Sequence, residues 1–129
     1  MHKVFVYGSL KKGFGNSVYL NNSKFIKEDR ARGFKMVSLG SFPGAIRSED
    51  QNDVIYGELY EVDDKTLRNL DALEGYSQSY SDNFYTREVI KLISGEECFI
   101  YTLPESYLKK EIISTGMWEH SGNLKYRTQ

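Results

Sequence analysis

A chain of 129 residues with a formal net charge of −1 is long enough for one domain with a single sizeable core, and it lacks the basic excess that nucleic-acid binding requires. Its one cysteine, Cys98, excludes an internal disulfide framework, and His2 and His120 are too few and too poorly flanked for a zinc or iron site. With no apolar run of about 18 residues and no charged-then-apolar leader after Met1, the sequence predicts a cytoplasmic protein without a membrane span.

Residues 3–7 (Lys-Val-Phe-Val-Tyr) are β-branched or aromatic and predict a first strand ending at Gly8. The loop that follows, Gly8-Ser9-Leu10-Lys11-Lys12-Gly13-Phe14-Gly15-Asn16, has the glycine spacing of half a phosphate-binding loop. Phe14-Gly15 stands where Lys-Ser/Thr is required, which removes a nucleotide-triphosphate site. Its glycines still allow successive N–H groups to face one anionic or carbonyl group, with Asn16 or Ser17 capping a short helix through Leu20. A plain surface turn fits the same residues. Residues 25–31 and 34–39 predict two more strands separated by Gly33. Residues 40–44 predict a turn, and 47–53 an exposed polar linker. Residues 54–62 alternate, with Val54, Tyr56, Glu58, Tyr60 and Val62 on one face and Ile55, Gly57, Leu59 and Glu61 on the other.

The clearest helix spans 64–74. Asp63 and Asp64 are good N-caps, and Leu67, Leu70 and Leu73 share one face. At 100° per residue Glu74 falls between Leu67 and Leu70, so the spacing points an acid inward at the last turn, before the stop at Gly75. There the helix dipole and partial burial both raise a carboxyl pKa above its reference of about 4.3. A fraying end with Glu74 in solvent is the other arrangement these residues allow. Residues 77–83 predict a mobile polar loop. Residues 84–93 and 97–103 predict a hairpin about Ser94-Gly95, with Cys98 as a small core residue. Pro104 opens a predicted last helix through about 114, with Leu108 and Ile112 inward, and Trp118 packs the tail against the body. The whole reads as one α+β domain over 1–129, a small mixed or antiparallel β-barrel flanked by helices.

Candidate chemistry is narrow. Two near-terminal histidines leave no Ser-His-Asp arrangement, no Cys-His dyad and no metal cluster. Glu74 is the remaining acid, and a lone carboxylate can move a proton when the substrate brings its own nucleophile. Binding would come from backbone donors of the Gly8–Asn16 loop and from the phenols of Tyr7, Tyr85 and Tyr101.

Val6-Tyr7-Gly8-Ser9-Leu10, Gly40-x-x-Pro43-Gly44, Gly57-Glu58-Leu59-Tyr60, Leu70-Asp71-x-Leu73-Glu74-Gly75-Tyr76, and then Tyr85, Arg87 and Val89, resemble in order and spacing the γ-glutamylcyclotransferase-like superfamily. The ending with Ser114, Gly116 and Trp118 is similar to that of its small bacterial members. The resemblance implies a small barrel flanked by helices, a pocket formed by Tyr7, Gly8, Ser9 and Leu10, and Glu74 as general acid/base. It further implies a γ-glutamyl amine or peptide as substrate, whose free α-amine attacks its own γ-amide carbonyl to give 5-oxoproline and an amine, with no cofactor. Ser77 departs from the proline of many relatives. Two classes of function follow: a cyclotransferase, or a non-catalytic small-molecule-binding protein keeping the same barrel and pocket. A nucleic-acid-binding barrel with stacking tyrosines lacks the basic groove.

Overall fold

The computed structural model describes residues 1–77 and 83–119. Its eight strands are β1 (His2–Val6), β2 (Lys24–Arg32), β3 (Phe34–Ser38), β4 (Pro43–Arg47), β5 (Val54–Val62), β6 (Thr86–Lys91), β7 (Glu97–Thr102) and β8 (Glu111–Ile113), with one α-helix, α1 (Asp64–Leu73), between β5 and β6. They form one mixed sheet ordered β2-β5-β1-β7-β4-β3-β8, with β6 on the other edge of β7. The sheet curls so that β3 packs against β5, and it stays open between β2 and β8, so the architecture is α+β and barrel-like without full closure.

Strand β7 is the branching point. One edge carries β6 along its whole length; the other is shared end to end by two parallel partners, β1 at Phe99 and β4 at Thr102. Successive residues of β1 point to opposite faces, and both faces are covered. Val4 and Val6 join Tyr60, Val62, Leu67 and Leu70 in one cluster, whereas Phe5 and Tyr7 join Met36, Ile55, Leu59 and Ile100 in the other. Leu67 and Leu70 are the helix residues that bury, as the spacing requires, and each contributes roughly 1.5–3 kcal/mol of apolar burial.

Two expectations fail. Pro43–Arg47 is a strand, where a turn and a linker were expected, because all but its last residue are buried and a strand covered on both faces has no polar alternation to reveal it. Proline is tolerated at its first position, and Gly44 is required by packing, since a Cβ there would lie 2.0 Å from Leu103 Cδ1. Residues 104–114 are not one helix. A short 3₁₀ helix (Glu105–Lys109) gives way at the extended Lys110 to β8, where Ile112 and Ile113 pair with Val37 and Met36; β-branched side chains fit that ladder better than a helix. Ile112 is consequently exposed. The hairpin forms at Ser94-Gly95 with Gly95 at φ +97, and Cys98 is buried, its thiol pushed up to about 12 by burial. In the polar loop, Ser77 N–H donates to Asn83 Oδ1 and Asn83 Nδ2 donates back to Ser77 O, both at 3.0 Å; the expectation for 78–82 lies outside the described residues, as does His120. No helix among the described residues is long and apolar enough to cross a membrane.

Candidate active site

The site is built from the end of α1. Asp63 caps the start, its Oδ1 accepting the Thr66 N–H at 2.7 Å. At the other end Glu74 is the C-cap, one residue past the predicted helical turn. Gly75 adopts φ +69, the left-handed conformation that a side chain disfavours. The closing bonds, Tyr76 N–H to Asp71 O at 2.9 Å and Gly75 N–H to Ala72 O at 3.2 Å, are those of a Schellman motif. Tyr85 N–H then donates to Glu74 O at 3.3 Å, tying the cap to the chain entering β6. Glu74 therefore sits on a rigid turn. Its side chain lines a cavity of about 560 Å³.

Tyr7, Gly8, Ser9, Leu10, Glu74, Tyr85 and Tyr101 all line this one cavity. Glu74 makes no side-chain hydrogen bond or ion pair among the described residues, and burial alone pushes its carboxyl up to about 7. Asp71, three residues earlier, is the opposite: Arg87 Nη1 donates to its Oδ2 at 2.6 Å and Tyr101 Oη–H to its Oδ1 at 2.7 Å. The Arg87 guanidinium also lies 4.4 Å from the Phe99 ring centroid and 5.1 Å from that of Tyr76. These contacts pin α1 to β6 and β7 and so fix where Glu74 stands.

The three phenols are placed at the cavity, but their O–H groups are committed. Tyr7 Oη–H donates to Tyr101 O at 2.7 Å and the same oxygen accepts from Ala45 N–H at 2.9 Å. Tyr85 Oη–H donates to Pro43 O at 2.5 Å, and that of Tyr101 serves Asp71. Burial raises all three phenol pKa values, with the charge on Glu74 adding in the same direction. They stay protonated and support the walls. Donors for a ligand must come from the loop. Lys11 N–H to Gly8 O at 3.0 Å and Asn16 N–H to Ser9 O at 2.9 Å fold it tightly, and Asn16 Nδ2 donates to Ser9 Oγ at 2.8 Å. Among the described residues the N–H groups of Gly8, Ser9 and Leu10 have no protein acceptor. Leu10 turns its side chain into the core, so only its backbone is available to a ligand. Gly8 approaches Pro43 so closely that a Cβ would lie 2.7 Å from Pro43 Cγ.

Sequence reasoning missed the apolar walls of the cavity, Phe14, Phe42 and Phe84, and placed Trp118 only as a packing residue, although it lines the cavity too. Nothing in local spacing marks these residues, which converge from three separate connections and the segment after β8. No group of three or more metal-ligating side chains occurs among the described residues.

A small mixed-sheet barrel with a buried, unpaired acid, Glu74, at a cavity beside a glycine-containing strand end defines the class. The family model for gamma-glutamyl cyclotransferase, AIG2-like proteins matches residues 4–120. The gamma-glutamylcyclotransferase family protein YtfP of Escherichia coli K12 is 32% identical over 117 residues, 90% of this chain and 95% of that one. The Methanocaldococcus jannaschii protein MJ1514 is 40% identical over 111 residues, 82% of this chain and 88% of that one. The crystal structure of an AIG2-like protein from Mus musculus shares the fold, with a TM-score of 0.70 at 23% identity over 93% of this chain and 95% of that one. The chain belongs to the gamma-glutamyl cyclotransferase, AIG2-like family.

Proposed function

We propose that the protein is a cyclotransferase that converts a γ-glutamyl amine or peptide to 5-oxoproline and the free amine, with Glu74 as general acid/base. The observation that carries this reading is an acid held near neutrality, with no partner of its own, at a cavity of the size that takes small-molecule ligands. The substrate's α-ammonium gives a proton to Glu74, and the resulting amine attacks the γ-carbonyl carbon, forming the ring C–N bond. As the γ-amide C–N bond breaks, Glu74 returns the proton to the leaving nitrogen, and the ring nitrogen gives up its second proton, which leaves with the amine as its ammonium. A carboxyl near 7 serves both transfers. The N–H groups of Ser9 and Leu10 suit the γ-glutamyl head and the oxygen that gains charge at the carbonyl. Ring closure draws on the effective molarity of an internal nucleophile, on the order of 10⁵ M or more, which lets one carboxylate suffice.

The test is a mass-spectrometric assay of a γ-glutamyl amide panel beside N-acetylated counterparts. Free-amine compounds should release 5-oxoproline and the N-acetylated ones should not react. Release of glutamate would make water the nucleophile and replace this reading with a hydrolase. Saturable binding without either product would leave a binding protein.

A further inference from the structure

Resting on the cyclotransferase reading, we propose that Trp118, held in place by Lys11, forms with Phe14 the wall that receives the leaving amine, and that this wall selects a neutral apolar amine, aromatic or branched, over one bearing a carboxylate or a second ammonium.

The C-terminal segment is fastened at two points. Gly116 O accepts the Tyr56 N–H at 2.8 Å, and the approach is so close that a Cβ on Gly116, which has φ +70, would lie 2.1 Å from Val54 O. Two residues on, Trp118 O accepts a hydrogen bond from Lys11 Nζ at 2.8 Å. The same Nζ lies 5.0 Å from the Phe14 ring centroid, so one part-buried ammonium joins the two aromatic residues. Trp118 is thereby set on the cavity before any ligand arrives, which lowers the ordering cost of binding.

The charge pattern supplies the selectivity. Among the described residues the cavity lining contains two carboxylates, Glu74 and Glu119, and no lysine or arginine. A leaving group with its own carboxylate, such as an amino acid, therefore meets no cation on the described lining, and the Lys11 ammonium behind the wall is already engaged by Trp118 O and the Phe14 ring. A cationic leaving amine is disfavoured for a separate reason: the Lys11 ammonium already covers Phe14 and lies within electrostatic range of Glu119, offsetting that charge. Apolar contact with Phe14 and Trp118 is what remains. About 560 Å³ also exceeds what a γ-glutamyl head alone needs.

The experiment compares kcat/KM for 5-oxoproline release from the γ-glutamyl amides of benzylamine, putrescine and glycine. The benzylamide should be preferred over both others by about tenfold or more, the scale that apolar pocket contacts supply. Trp118→Ala should erase that preference by raising KM for the benzylamide, and Trp118→Phe should restore part of it. Equal rates across the panel, preference for the putrescine or glycine amide, or an undiminished preference in Trp118→Ala would each overturn the inference while leaving the cyclotransferase intact. If no amide yields 5-oxoproline, the functional reading fails and the wall is tested separately: Trp118 is the chain's one tryptophan, so a saturable change in its emission with the benzylamide, absent with the glycine amide, supports the inference, and no change refutes it.

Discussion

Asp71 and Glu74 stand three residues apart at the end of one helix, carry the same functional group and have opposite surroundings. Asp71 receives a guanidinium at 2.6 Å and a phenol at 2.7 Å, whereas the Glu74 carboxyl receives no protein donor among the described residues and is pushed up to about 7 by burial alone. Helix position and charge type therefore do not decide what an acid does. Partners do: the paired carboxylate anchors the helix, and the unpaired one, buried at the cavity, has its pKa raised toward neutrality.

The comparison breaks most severely if the anchor is cut. With side chains only 9% and 19% exposed, Arg87 and Asp71 form a pair that solvent barely screens. Arg87→Met should leave the partly buried Asp71 charge with the Tyr101 hydroxyl as its donor and no countercharge, costing about 3 kcal/mol in denaturant unfolding. Adding Asp71→Asn should recover part of the loss, since the charge that was left unpaired is then gone. A cost below about 1 kcal/mol would place the pair among ordinary surface bridges and remove the anchor from the account.

Glu74→Gln should behave in the opposite way. Turnover is expected to fall by about 10²-fold or more, the scale of a lost general acid/base, while the fold gains stability. The sign follows from the raised pKa: between about 4.5 and about 7 the folded protein keeps a proton that the unfolded chain has released, so stability declines as pH rises through that window. Above about 7 the whole cost of ionising a partly buried carboxyl is present, at most about 3 kcal/mol. Glutamine removes that slope. Unfolding of both proteins at pH 5 and pH 8 should show the variant's advantage growing with pH; an advantage that shrinks would mean that Glu74 has a partner in the folded state.

What could be read from the sequence was whatever local periodicity controls. The leucine spacing and Gly75 located α1 and put Glu74 on its inner face, where the cavity lies. The alternation of β5 and the Ser94-Gly95 turn were legible for the same reason. Strand β4 was not, because Pro43, Gly44, Ala45 and Ile46 are buried together and lack a polar face. Nor was β8, whose Ile112 and Ile113 fit a helical pattern as well as the ladder with β3 that only the tertiary fold provides. The phenols show the limit most clearly. Tyr7, Tyr85 and Tyr101 were expected to offer their hydroxyls to a ligand; they line the cavity, but their partners are a carbonyl of residue 101, a carbonyl of residue 43 and the Asp71 carboxylate, separations that no sequence window spans.

Tyr7 sharpens the contrast from the other side, as a polar group of the cavity wall that is paired twice. Along β7 the parallel partner changes from β1 at Phe99 to β4 at Thr102, and where one ladder gives way to the other the Tyr7 hydroxyl accepts from Ala45 N–H and donates to Tyr101 O. A side chain thus completes the ladder at its fork. Tyr7→Phe keeps the ring, which is only 6% exposed, and removes the bridge, leaving a backbone donor and a backbone acceptor unsatisfied. The expected loss is about 1–3 kcal/mol. Unlike the effect of Glu74→Gln, it should be the same at pH 5 and pH 8, because the phenol remains protonated in the folded and unfolded states alike, burial having raised its pKa further. A loss that varied across this range would tie the hydroxyl to the titration of Glu74 and dissolve the distinction between the paired groups that hold the cavity wall and the unpaired acid beside them.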